Sequence, residues 1–196
     1  MKSKVVWTSG ITFLFLTVLL AIAAPAANAK AKHVRWDIIS LSGTTVSAGG
    51  SASASANDGS EITLTGMGTF VAPASGKGSN AVTGGGTWTI DTPSASGTYE
   101  VKGLVRFDEA LGTLVGTGTT DTIDDLEDAH SGLAVLTILY SDGDRGILVV
   151  SCHLPIGTPA TIFEGVTVSK GSVDYWNREA PVAGVNENRT AFHIAD

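Results

Sequence analysis

The sequence predicts an all-β protein: a single antiparallel β-barrel, with a β-sandwich as the alternative. Three observations carry this expectation. No long segment shows the apolar periodicity of a helix. Strand-like runs rich in β-branched and aromatic residues recur about every 10 to 20 residues, separated by Gly, Pro, Asn and Asp. Glycines also recur inside those runs, at Gly66, Gly68, Gly84 to Gly86 and Gly103. Glycine within a strand marks a bulge or a close backbone approach, and a small closed barrel needs both.

Residues 1–29 read as a signal peptide. Lys2 and Lys4 form a basic start, and residues 11–24 carry no charge. Ala27-Asn28-Ala29 is a small-x-small cleavage signal, which places the cut after Ala29. The apolar run is about 14 residues, short of the ~20 that a spanning helix needs. No cysteine follows it, so a lipid anchor is not supported. The expectation is a secreted or periplasmic protein of bacterial type, with residues 30–196 as one domain. That domain holds ten Lys and Arg against nineteen Asp and Glu, a net charge of −9. Nucleic acids and anionic membranes call for a basic patch, so neither is an expected partner.

The strands are expected in order. Residues 36–41, WDIISL, form the first. Residues 42–60 are rich in Gly, Ser and Ala and read as a flexible loop or a weak strand. Residues 61–71 alternate through Ile62, Leu64 and Phe70, and residues 73–80 form a turn. Residues 81–90, 98–107 and 111–120 follow as strands, then an acidic loop or helical turn over 121–128. Residues 160–169 and 173–176 are further strands, and residues 191–194 a short last one.

Between these lies the longest apolar stretch after the leader, residues 131–155. Asp142-Gly143 between two β-branched runs predicts a hairpin with a two-residue type I′ turn. That register sets Leu136 opposite Val149 and Gly132 opposite His153. Both faces are then largely apolar, which predicts cover on both sides: a second sheet, a terminal segment or a second copy of the chain. The 133–154 hairpin is thus the expected surface for any homo-oligomer.

Gly86-Thr87-Trp88 matches the short G-x-W motif of lipocalins, although it falls on a middle strand and not the first. A leader followed by one Gly-rich antiparallel β domain resembles lipocalin-type barrels and dirigent or allene oxide cyclase-type barrels. The resemblance is one of architecture and implies a barrel. No catalytic or binding residue carries over from it.

Four groups of residues invite chemistry. In the two-residue-turn register, His130 and His153 are diagonal neighbours on one face, the start of an acid/base or metal site. Unrelated strand-end histidines are the other reading. Tyr175, Trp176 and Arg178 cluster at a strand end, where aromatic faces and a forked guanidinium suit a carbohydrate or a carboxylate. Alternatively, Trp176 plugs a barrel end and Arg178 pairs with Glu179 or Asp174. Arg189 and His193 join that cluster if the last strand closes the sheet beside it. Asp121, Asp124, Asp125, Glu127 and Asp128 offer oxygen ligands, but without the spacing of a calcium loop. Cys152 is alone, so no intramolecular disulfide forms, and it reads as a small buried hydrophobe.

No G-x-S-x-G, H-E-x-x-H, P-loop or Cys-x-x-Cys occurs. No metal or cofactor is therefore expected. The leading expectation is non-enzymatic binding of a small ligand or partner, at Tyr175, Trp176, Arg178, His130, His153 and Arg189. The alternatives are a metal- or histidine-dependent enzyme using His130 and His153, with His193 or Glu164 as further candidates, and a self-associating structural protein.

Overall fold

The computed structural model describes residues 30–72, 81–182 and 188–195. The expected leader and the expected turn over 73–80 lie outside them. The strands are β1 (Lys32–Ser42), β2 (Thr45–Ala48), β3 (Ala52–Ser55), β4 (Glu61–Leu64), β5 (Met67–Ala72), β6 (Val82–Ile90) and β7 (Ala95–Ala110). They continue with β8 (Thr120–Asp121), β9 (Ala129–Tyr140), β10 (Arg145–Cys152), β11 (Gly165–Lys170), β12 (Val173–Tyr175), β13 (Asn177–Arg178) and β14 (Thr190–Ala195). A single 3-10 turn, Leu126–Asp128, precedes β9.

The sheet closes on itself. β1 pairs with β5, β5 with β6, β6 with β7, β7 with β9, β9 with β14, and β14 with β1, all antiparallel. This is a closed six-stranded barrel with extra strands, and the sandwich alternative falls away. The barrel is extended at one end. Beyond Gly85, β6 changes partner from β5 to β4, and beyond His130, β9 changes from β14 to β10. β3 and β11 continue this wall, and the β12–β13 segment bonds to both, Tyr175 opposite Val168 and Arg178 opposite Ala54.

Strand alternation fills the interior. Val34, Trp36 and Ile38 of β1 point inward, with Phe70, Phe107 and Phe192 stacked edge to face at centroid distances of 5.1–6.5 Å. Trp88, Tyr99 and Tyr140 fill the other end. Their polar atoms are satisfied: Tyr99 Oη donates to Thr65 O and Tyr140 Oη to Ser169 O, each at 2.9 Å. Lys170 caps this end, with Nζ 4.6 Å from the Trp88 ring and 2.5 Å from carboxylate oxygens of Asp142 and Asp144.

Glycine permits the closure where β5 meets β6. Gly68 faces Gly84, and Gly84 has φ +124°. A Cβ on Gly84 would sit 2.4 Å from Met67 O and 2.6 Å from Gly68 Cα. Only glycine lets the two backbones approach so closely.

The structure corrects several expectations. Residues 42–60 supply β2 and β3, and strand alternation buries Ala52 and Ala54 of β3. Residues 111–119 form turns, and β8 spans two residues beside β2 in parallel. Residues 160–164 are likewise irregular, so β11 starts only at Gly165.

The hairpin register differs by one residue. Leu136 faces Leu148, and Gly132 faces Cys152. The loop has three residues, Ser141 to Gly143. Gly143 N donates to Tyr140 O at 3.0 Å, Tyr140 N donates to Asp144 O at 2.9 Å, and Gly143 has φ +96°. This is a type I turn followed by a left-handed glycine, the common three-residue alternative to the type I′ turn. The slip turns β10 over, so Leu148, Val150 and Cys152 join Ala134, Leu136, Ile138 and Tyr140 inside. Leu133, Val135, Leu139, Ile147 and Val149 face outward, half-buried. The expected cover on this second face is not found among the described residues. An open groove of about 530 Å³ runs there instead, between Lys102, Leu139 and Ile147.

Candidate functional site

The outward side chains of β1 and β14 lie beneath a flap. Ile39, Val46 and Ala191 form a second small core with Leu41 and Ile123, outside the barrel. β2, β8 and the loops 111–119 and 153–164 cover it. The two loops are joined where Thr113 N donates to Ile156 O at 3.0 Å. Between flap and barrel wall lies a cavity of about 180 Å³. Its apolar lining includes Ile39, Leu41, Val46, Leu114, Leu154, Pro155 and Ala191. Its polar groups are Thr119, His153, Glu164, Arg189 and Thr190.

Glu164 is the central polar group. Its Oε2 accepts from His153 N at 2.5 Å, and its Oε1 accepts from Thr190 N at 2.6 Å. Those bonds, with the charge of Arg189, favour the carboxylate. Burial outweighs them and pushes its pKa up to about 7. The carboxyl therefore changes charge near neutral pH. It also adds to the effect of burial in raising the Cys152 thiol, which is fully enclosed.

His153 and Arg189 flank this carboxyl. His153 Nδ1 lies 2.6 Å from Ile162 O. A carbonyl only accepts, so Nδ1 carries the proton and Nε2 of the neutral ring is an acceptor. Arg189 O accepts from Ile39 N at 2.9 Å and fixes the backbone. Arg189 Nε is buried without a hydrogen-bond partner among the described residues. A buried unpaired donor is costly, and a ligand would relieve it.

A second polar layer adjoins the cavity. Two residues beyond Ala191 on the same strand face, His193 Nε2 meets Asp121 Oδ2 at 2.9 Å, with both side chains buried. His193 Nδ1 has no partner. Across the strands, Arg35 Nε and Nη2 donate to the two oxygens of buried Asp37, at 2.7 and 3.0 Å. Asp121 also accepts from Ile123 N at 2.9 Å, a local turn bond, while its bond to His193 ties β8 to the barrel wall.

The expected site residues separate into three places. His153 and Arg189 line the cavity. His130 is at the barrel rim, its Nδ1 3.4 Å from Glu109. The corrected register puts His130 and His153 on opposite faces, so they are not the expected pair. Tyr175 is buried in the barrel wall and Trp176 is 47% exposed. Arg178 is exposed, with its guanidinium 5.7 Å from the Phe163 ring, on the loop that carries Glu164. It pairs with neither Glu179 nor Asp174 among the described ion pairs. Of the acidic run, Asp121 is taken into the buried pair and the others lie in an open turn. No group of three or more His, Cys, Asp or Glu among the described residues is arranged for a metal.

No family model, curated protein or solved structure gives a significant match to the chain. The functional reading therefore stands on the cavity itself. Within it, Thr190 was not expected from sequence, and Glu164 only as an alternative. Glu164 does carry a signal: it is the one charge in the apolar run Thr161 to Val168.

Proposed function

We propose that the protein is an exported β-barrel that binds a small ligand without transforming it, in the cavity between barrel wall and flap. One observation carries this reading. A largely apolar cavity holds a buried carboxyl that titrates near neutrality and an arginine with an unpartnered Nε. Ligand sites have this composition: mostly apolar walls and a few converging polar groups. The barrel interior is filled, which makes the flap cavity the better site. Export is supported by the basic start, the apolar run and the cleavage signal of residues 1–29.

A thermal-shift screen of small molecules tests the reading. Ligands should raise the Tm of the protein and not that of Ala191→Leu, whose larger side chain would occupy the cavity. Hits that act equally on both proteins would contradict it.

A specific feature favours acid/base chemistry as a second reading. Glu164 near 7 beside His153 is a pairing suited to proton transfer at neutral pH. Turnover of any ligand found by the screen, abolished in Glu164→Gln, would move this reading ahead.

A further inference from the structure

We infer that the cavity takes the carboxylate of a short-chain organic acid, its head on Arg189 and Glu164 and its tail against the apolar wall. This rests on the ligand-binding reading above and names the ligand class. Among the described residues, Arg189 is the only Lys or Arg in the lining. A guanidinium presents coplanar N–H groups that match the two oxygens of a carboxylate, and the Nε of Arg189 has no protein partner to give up.

Glu164 supplies the second contact. Its oxygens accept backbone N–H bonds, and an ionised carboxyl has no hydrogen to offer a ligand carboxylate, so that contact comes from the acid form, whose O–H donates. A ligand carboxylate oxygen is such an acceptor. An alkylammonium would instead face the Arg189 charge. Inorganic phosphate or sulfate would leave Leu114, Leu154 and Ala191 uncovered. The cavity is about 180 Å³, below the roughly 300–1,000 Å³ of drug-sized sites, so the tail is a few carbons long.

The complex holds a proton on Glu164. The titratable and charged groups facing that carboxyl are Cys152 at the end of β10, His153 just after it and Arg189 ahead of β14, with the Asp121–His193 pair beyond Ala191. Burial and the neighbouring Glu164 charge keep the Cys152 thiol neutral. Glu164 therefore sets the loss of binding above neutrality. With Glu164 near 7, affinity falls about tenfold between pH 6 and pH 8.

Calorimetric titration with butyrate, butyramide and 1-butanol tests the inference. At pH 6, butyrate should bind at least ten times more tightly than its two uncharged analogues. Arg189→Gln should erase that preference, and Glu164→Gln should keep butyrate binding but flatten its pH dependence. The analogue comparison needs only the unaltered protein, so it holds even if a variant folds poorly. Equal binding of all three compounds, or tighter binding of butanol, would overturn the carboxylate inference and leave the ligand site standing. A flat pH profile in the unaltered protein would overturn the role of Glu164. No binding by any of the three would overturn the inference and count against the site itself.

Discussion

Glu164→Gln should reverse its effect on stability between acid and mildly alkaline pH. In the unfolded chain the carboxyl ionises near 4.5, and in the fold it holds its proton to about 7. Between these values the native state keeps a proton that the unfolded state has released. Stability therefore falls as pH rises through that window and levels off above 7. The loss from this one group is about 3 kcal/mol at pH 8. Glutamine does not titrate, so the variant escapes the loss. It gives up one of the two backbone acceptors that Glu164 provides to His153 N and Thr190 N, at a cost of about 1 kcal/mol. The variant should thus be less stable by about 1 kcal/mol at pH 4 and more stable by about 2 kcal/mol at pH 8. Urea unfolding of both proteins, followed by tryptophan fluorescence from pH 4 to 8.5, reads this directly. Taking the difference cancels groups that titrate alike in both, the Asp121–His193 pair included. Parallel stability curves would refute the reasoning. So would a relative gain by the unaltered protein as pH rises, since that would mean an ionised Glu164 paired with Arg189.

Further outcomes follow from the same geometry. Gly84→Ala forces a Cβ against Met67 O and Gly68 Cα at a positive φ, and should destabilise by about 2–4 kcal/mol. Calorimetry should show a Tm lower by roughly 5–15 °C, and an unchanged Tm would mean that the β5–β6 seam is looser than described. Asp121→Ala leaves both ring nitrogens of buried His193 without a partner and should cost about 3 kcal/mol in urea unfolding. A loss under 1 kcal/mol would show that the flap is open to water there. Cys152 is fully buried, with burial raising its thiol pKa. It should ignore a thiol reagent in the native protein and react fully in denaturant, and fast native labelling would place it on the surface.

The barrel was legible because strand-length apolar runs, turn residues and in-strand glycines all pointed one way. The register of β9 against β10 was not. Ile147, Leu148, Val149 and Val150 are apolar on both faces, so alternation could not choose between two- and three-residue loops, and one residue of slip exchanges the faces. Residues 42–60 could be read only as a loop or a weak strand, because Ala52 and Ala54 of β3 carry little apolar signal although both are buried. Of the site, Arg189 and His153 stood out by residue type. Their setting did not, because the cavity is made by residues 39–46, 114–119, 153–164 and 189–191, brought together only by barrel closure. The His130–His153 pairing depended on strand parity, and parity went the other way.

Ligand binding between flap and barrel wall can be read residue by residue. The most direct test is an NMR titration of the labelled protein with butyrate at pH 6, read on every backbone amide and on the Arg189 side-chain N–H. Saturable shifts should centre on His153, Glu164, Arg189 and Thr190, with Tyr175, Trp176 and the outward face of the β9–β10 hairpin unmoved. Shifts centred on Trp176 and Arg178, or on Leu139 and Ile147 in the outer groove, would contradict it.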